Sequence, residues 1–188
     1  MRYLKSNLIT RLFVLLAVAL LALPSAPAAH AKDGGGRAPN LPSPLCQSIE
    51  APEGNKVAFH TYALGVQVYR WDGNAWVFVG PVANLYADAG FRGQVGAHYG
   101  GPTWESNSGS KVVARHVVNT GCTPGANAIP WLLLEAVSTD GPGIFNTATF
   151  IQRVNTTGGT VPTTPGTVVG QETRVPYTAE YYFYRAAH

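Results

Sequence analysis

Val66-Gln67-Val68-Tyr69-Arg70-Trp71, then Asp72-Gly73-Asn74, then Ala75-Trp76-Val77-Phe78-Val79 is the stretch that decides the fold. Two runs of β-branched and aromatic residues flank a short polar loop. The loop contains Asp-Gly, and glycine accepts the positive φ that tight hairpin turns require, so the pattern is a β-hairpin. The second run is apolar on both faces, with Trp76 and Phe78 on one and Val77 and Val79 on the other. A strand covered on both sides belongs in a β-sandwich or a closed β-barrel.

The pattern recurs outward from this hairpin. Val57 to Tyr62 alternates weakly, and Thr103–Ser106 and Lys111–Val118 frame a second turn at Asn107-Ser108-Gly109. Ile129 to Leu134 is a continuous apolar run, and its Pro130 fits only a strand start, where no ladder N–H is needed. Thr147–Val154 and Tyr177–Arg185 read as further strands, the last with aromatics on both faces, so its outward half needs a cover. A helix is expected only near Pro81–Ala89, and there a short one. All 21 glycines, and every proline except Pro24 and Pro27, lie beyond residue 31 and punctuate the apolar runs. The expectation is an all-β single domain of about eight short antiparallel strands, as a sandwich or a barrel.

At the N-terminus, Arg2, Lys5 and Arg11 accompany the apolar run Leu12–Leu23, and Ala29-His30-Ala31 offers small residues at the two positions a signal peptidase reads. That pattern marks residues 1–31 as a secretory signal peptide, too short for a stable membrane anchor. Residues 32–45 then read as a flexible Gly/Pro-rich leader and 46–188 as one β domain. The expected location is secreted or periplasmic, with no transmembrane anchor in the mature chain. The chain has 13 Lys and Arg against 10 Asp and Glu, and three of the basic residues leave with the signal peptide. The remainder is formally neutral and has no basic cluster, so nucleic acid is not an expected partner. Composition carries no signal for oligomeric state.

Cys46 and Cys122 are the two cysteines. They are either a disulfide or two free thiols, and an oxidising compartment favours the disulfide. Their spacing does not suit a metal site, and no metal or cofactor is expected.

The densest polar and aromatic stretch is Gly96 to Glu105, GAHYGGPTWE. In a functional reading it forms a ligand site. Trp104, Tyr99 and Tyr177 are contact surfaces, and His98 and Glu105 position polar groups or move protons. In a structural reading it is a corner of the β fold, with Gly100-Gly101-Pro102 as the turn, Trp104 in the core and His98 capping a backbone group. Arg153 holds either a carboxylate such as Glu172 or Glu180, or a ligand anion. His116 lies on the apolar face of its run and reads as a satisfied core residue. No Gly-x-Ser-x-Gly elbow, His-Glu-x-x-His or dinucleotide fingerprint is present in the sequence.

Six blocks carry a resemblance. They are Gly65–Tyr69, His98–Glu105, Gly109–Val113, Ala128–Leu134, Ile151–Thr156 and Val175–Ala179. In this order they resemble a secreted family of bacteria and filamentous fungi, domain-of-unknown-function family 3455. The resemblance spans about Val57 to Arg185 and implies no activity, substrate or catalytic residue. Some fungal members carry the label malate dehydrogenase, which the absent nucleotide fingerprint and the export signal argue against. Members often have a cysteine after the Gly-Gly-x-x-Pro stretch. Here Gly158-Gly159-Thr160-Val161-Pro162 is followed by none, so any disulfide uses Cys46 and Cys122.

Three functions follow as expectations. The leading one is binding of a small apolar ligand or a glycan in an aromatic-lined site. The second is an extracellular hydrolase or isomerase using His98 and Glu105. The third is an envelope or surface interaction protein.

Overall fold

A computed structural model describes residues 37–187, so the signal-peptide reading of residues 1–31 lies outside the described residues. Eight strands follow in order: β1 Asn55–Trp71, β2 Trp76–Tyr86, β3 Gln94–Tyr99, β4 Thr103–Ser106, β5 Lys111–His116, β6 Leu132–Asp140, β7 Phe150–Gly158 and β8 Glu172–Ala186. Each pairs antiparallel with its chain neighbour, and β8 returns to pair with β1, so the sheet is a closed barrel. Of the two architectures expected, closure selects the barrel: β1 is 17 residues long and carries β2 on one edge and β8 on the other. Closure leaves an unpaired strand edge only where strands outrun their neighbours, as β2 does before Val82 and β8 does before Tyr177.

The deciding hairpin forms as read. Asp72 Oδ1 accepts the N–H groups of Asn74 and Ala75 at 2.8 and 2.7 Å, and Gly73 takes a φ of 103°. Two expectations are corrected here. No helix forms near Pro81, because Val82 to Tyr86 pair with β3, and tertiary pairing outweighs local preference. The doubly apolar run is not buried on both faces: Val77, Phe78 and Val79 are about half exposed. Pairing with β3 begins only at Val82, so the hairpin tip extends past its neighbour.

Inside the barrel the period-two alternation places Ala63, Leu85, Trp104, Val112, Ile151, Tyr177, Tyr181 and Phe183 in one core. Gly65 is required where β1 and β2 approach, since a Cβ there would lie 2.3 Å from Val82 O. One end of the barrel is plugged. Phe145, from the connection after β6, is fully buried against Phe183 and Phe59, with ring centroids 4.6 and 5.9 Å away. Burying a side chain of that size stabilises the fold by about 1.5–3 kcal/mol.

A second core lies on the outer face of β6, β7 and β8. Ile49, Cys46, Cys122, Trp131, Leu133, Val154, Tyr182 and Tyr184 form it, and Leu41 packs against it. The outward aromatics of β8 are thus covered by the chain's own N-terminal segment, which includes the 3-10 turn Gln47–Ile49. Cys46 and Cys122 form a disulfide that holds this segment. Gln152 Nε2 donates to Ile49 O at 2.5 Å, and Tyr184 donates to Gln152 Oε1 at 2.6 Å. No helix among the described residues is long and apolar enough to cross a membrane.

Candidate functional site

At the end opposite the Phe145 plug, the barrel interior opens into a cavity of about 220 Å³. The cavity lies at the end of β1, β3 and β5 and the start of β2, β4 and β6, which an antiparallel barrel brings to one rim. Phe78, Pro81, Pro102, Leu132 and Leu134 supply its apolar wall. Gln67, His98, Trp104, Arg153 and Tyr181 also line it, and His116 stands at the rim.

His98 and Trp104 are cross-strand partners on β3 and β4. Their rings stack at 4.2 Å and 6°, and Tyr181 meets both edge-on, at 5.1 and 5.3 Å. His98 Nδ1 lies 2.8 Å from Thr103 O, which can only accept, so Nδ1 carries the proton and Nε2 is a lone pair. Burial, reinforced by the nearby Arg153 charge, pushes the His98 pKa from 6.5 down to about 3, against the Thr103 bond that favours the charged form. His98 is therefore neutral at physiological pH.

Three buried donors on this cavity have no hydrogen-bond partner within the protein: Gln67 Nε2, Trp104 Nε1 and the Tyr181 hydroxyl. Their residues are 1%, 1% and 0% exposed. A buried polar group left unsatisfied costs about 1–3 kcal/mol, so three such groups on residues lining one cavity mark it as a place where a water or a ligand could supply the missing bonds. Away from the cavity lining, Thr61 Oγ1 and the Tyr177 hydroxyl are likewise unpaired. Burial raises the pKa of both Tyr177 and Tyr181, so both hydroxyls keep their protons. The two hydroxyls and Arg153 are close enough to perturb one another, yet no hydrogen bond of good geometry joins them.

Arg153 enters the interior from β7, opposite Tyr181 and Leu132. Its Nε and Nη2 donate to Pro130 O at 3.1 and 2.8 Å. The expected carboxylate partners are engaged elsewhere. Glu172 pairs with Arg70 at 2.8 Å, and Glu180 pairs with His60 at 2.9 Å while accepting from Asn155 and Tyr182. Among the described residues no carboxylate pairs with Arg153.

The other sequence candidates separate. Glu105 pairs in register with Ala97, one residue out of phase with the His98–Trp104 pair, and so projects from the outer face. There it accepts the Tyr99 hydroxyl at 2.6 Å and lies 3.8 Å from Lys111 Nζ. The Glu105 bond is the main cause of a raised Tyr99 pKa. His98 and Glu105 thus stand on opposite sides of the sheet and share no reacting space. Trp104, His98 and Arg153 line the cavity, Tyr177 lies in the inner core without lining it, and Tyr99 is outside. His116 is exposed rather than in the core, with Nε2 2.8 Å from Thr120 O, because β5 ends at the rim. Gln67 is not singled out as a site residue from sequence, and Tyr181 enters only as one of the last strand's aromatics, Tyr177 to Tyr184, that could line a cavity. A polar residue on the inward phase of β1, among Ala63, Gly65 and Tyr69, is the signal that points to Gln67.

A larger groove of about 480 Å³ runs along the hairpin outside the barrel, between Trp71, Val77, Phe78, Val79 and Val169. Its polar groups are already satisfied, Arg70 by Glu172 and Asp72 by the turn amides. The smaller inner cavity is the one with unmet hydrogen-bonding capacity, and it is the better candidate. Among the described residues no group of three or more His, Cys, Asp or Glu is placed to hold a metal.

Residues 52–185 match a protein-family model described as "Protein of unknown function (DUF3455)", and the chain belongs to that family. No curated protein and no solved structure matches the chain.

Proposed function

We propose that this member of a family without assigned function is a small-ligand-binding barrel exported from the cytoplasm. The observation that carries the reading is the convergence of three orphaned buried donors, Gln67, Trp104 and Tyr181, on one cavity with an apolar wall. Eight-stranded barrels are just wide enough for side chains to fill or for one small ligand to occupy. The cavity is smaller than the roughly 300–1,000 Å³ of drug-sized sites, and corresponds to about seven waters at about 30 Å³ each. A small molecule with an apolar body fits this better than a glycan chain, because Trp104 is buried and already stacked on His98. Export is supported by the signal-peptide pattern of residues 1–31 and by the disulfide.

Native mass spectrometry of the natively purified protein tests the reading. A bound mass that is lost on denaturation, and lost in Trp104→Phe combined with Tyr181→Phe, is the expected result. Retention of the same mass in a folded double variant would overturn it. The exposed apolar groove at the hairpin favours a second reading, contact with a protein partner. That reading requires Val77→Ser to abolish partner capture while leaving the bound mass in place.

A further inference from the structure

We propose that the inner cavity selects a compact carboxylate, with Arg153 receiving the carboxylate and Tyr181, Trp104 and Gln67 supplying the remaining donors. The proposal rests on the reading of that cavity as a ligand site. Its basis is the donor inventory. Arginine has five N–H groups. Two of those on Arg153 go to Pro130 O, and three remain. The phenol of Tyr181, the indole N–H of Trp104 and the amide of Gln67 add donors with no partner in the protein. A carboxylate is acceptor-only and takes about four hydrogen bonds, so it matches a site built almost entirely of donors.

Charge narrows the class further. Arg153 is the only permanently charged side chain lining the cavity, and no carboxylate among the described residues balances it. The Pro130 carbonyl fixes the guanidinium from one side, which orients the free N–H groups rather than neutralising the charge. One cation offsets one negative charge. A dianion such as a phosphate monoester would bring a second charge into a wall of Phe78, Pro81, Pro102, Leu132 and Leu134, where desolvating it is costly. The cavity volume limits the body to a single ring or a short branched chain. His98, held neutral, adds no second cation, and its Nε2 is an acceptor, as is the side-chain oxygen of Gln67.

The test uses two matched sets of probes on the natively purified protein: benzoate, benzamide and benzyl alcohol, and 4-methylpentanoate with its amide. Binding is read by calorimetry and by the NMR signal of the Trp104 indole N–H, assigned with Trp104→Phe. At least one carboxylate is expected to shift that signal and to bind about tenfold or more tightly than its own amide. Arg153→Gln should remove the tenfold preference while the amide still binds, and Arg153→Lys should restore part of it. Amide and alcohol binding as tightly as the carboxylate would overturn the selection and leave the ligand-site reading standing. No shift at Trp104 with any probe at millimolar concentration would overturn both. The comparison of carboxylate with amide on the unaltered protein decides the point even if an Arg153 variant fails to fold.

Discussion

Mild acid should destabilise this protein mainly through His98, and the size of the effect follows from its surroundings. The imidazole is buried between Trp104 and Tyr181, with its pKa lowered from 6.5 to about 3, mainly by burial. Because the folded value lies below the unfolded one, the unfolded chain binds the extra proton between about pH 6.5 and pH 3. Stability therefore falls as pH falls through that window and is unaffected above it. Each unit of separation is worth about 1.4 kcal/mol, so moving from about pH 7.5 to about pH 4.5 removes about 3 kcal/mol. For a domain of this size that is a fall of roughly 6–12 °C in Tm. Glu180, held below its ordinary 4.5 first by the His60 hydrogen bond, loses stabilisation in the same direction, but only as pH falls below about that value. The assay is urea denaturation at several pH values in that range, on the wild type and on His98→Gln. The glutamine keeps a donor available for Thr103 O and removes the titration. A wild-type stability steeper in pH than the variant's by about 3 kcal/mol over the range is expected. Coincident slopes, or an NMR titration of the His98 ring with a midpoint above about pH 5, would refute the assignment of a buried neutral imidazole.

Three further outcomes are expected. Replacing both Cys46 and Cys122 with serine should lower unfolding free energy by about 4–5 kcal/mol, given a sequence separation of 76 residues; denaturation curves unchanged within about 1 kcal/mol would contradict it. Gln152→Leu leaves the Tyr184 hydroxyl and Ile49 O without their partners, so a loss of about 2–4 kcal/mol is expected, with faster hydrogen exchange of Cys46 and Ile49. Protection of those amides at the wild-type level would show that the N-terminal segment does not depend on Gln152. Glu105→Gln removes an outer-face ion pair with Lys111 and should change stability by no more than about 1 kcal/mol. It should also leave carboxylate binding at Trp104 untouched, and a loss of that binding would mean that Glu105 reaches the cavity after all.

The barrel's local parts were readable because their causes are local. Asp72 and Gly73 specify the hairpin turn through an Asx hydrogen bond and a positive φ, and neither depends on the rest of the chain. Cys46 and Cys122 had no other cysteine to pair with. The doubly aromatic tail required a cover, but not which one. The cover is the segment around Leu41 and Ile49, which sequence placed partly in a leader, and its docking depends on Gln152 and a disulfide to a residue 76 positions away.

Residue types and the two-residue period were thus determined by the sequence alone: strands, turns, the disulfide pair, and the polar and aromatic character of His98, Trp104 and Arg153. Tertiary structure alone decided closure and facing. Closure rests on Asn55 meeting Ala186 at the far end of the chain, a pairing no local pattern encodes. Facing rests on register: His98 opposes Trp104 while Glu105 opposes Ala97, and a slip of one residue would exchange the inner and outer sets. Because a barrel has only one inside, that register brings Gln67, Trp104, Arg153 and Tyr181 from four strands to one cavity and leaves Glu105 and Tyr99 on the opposite side of the sheet.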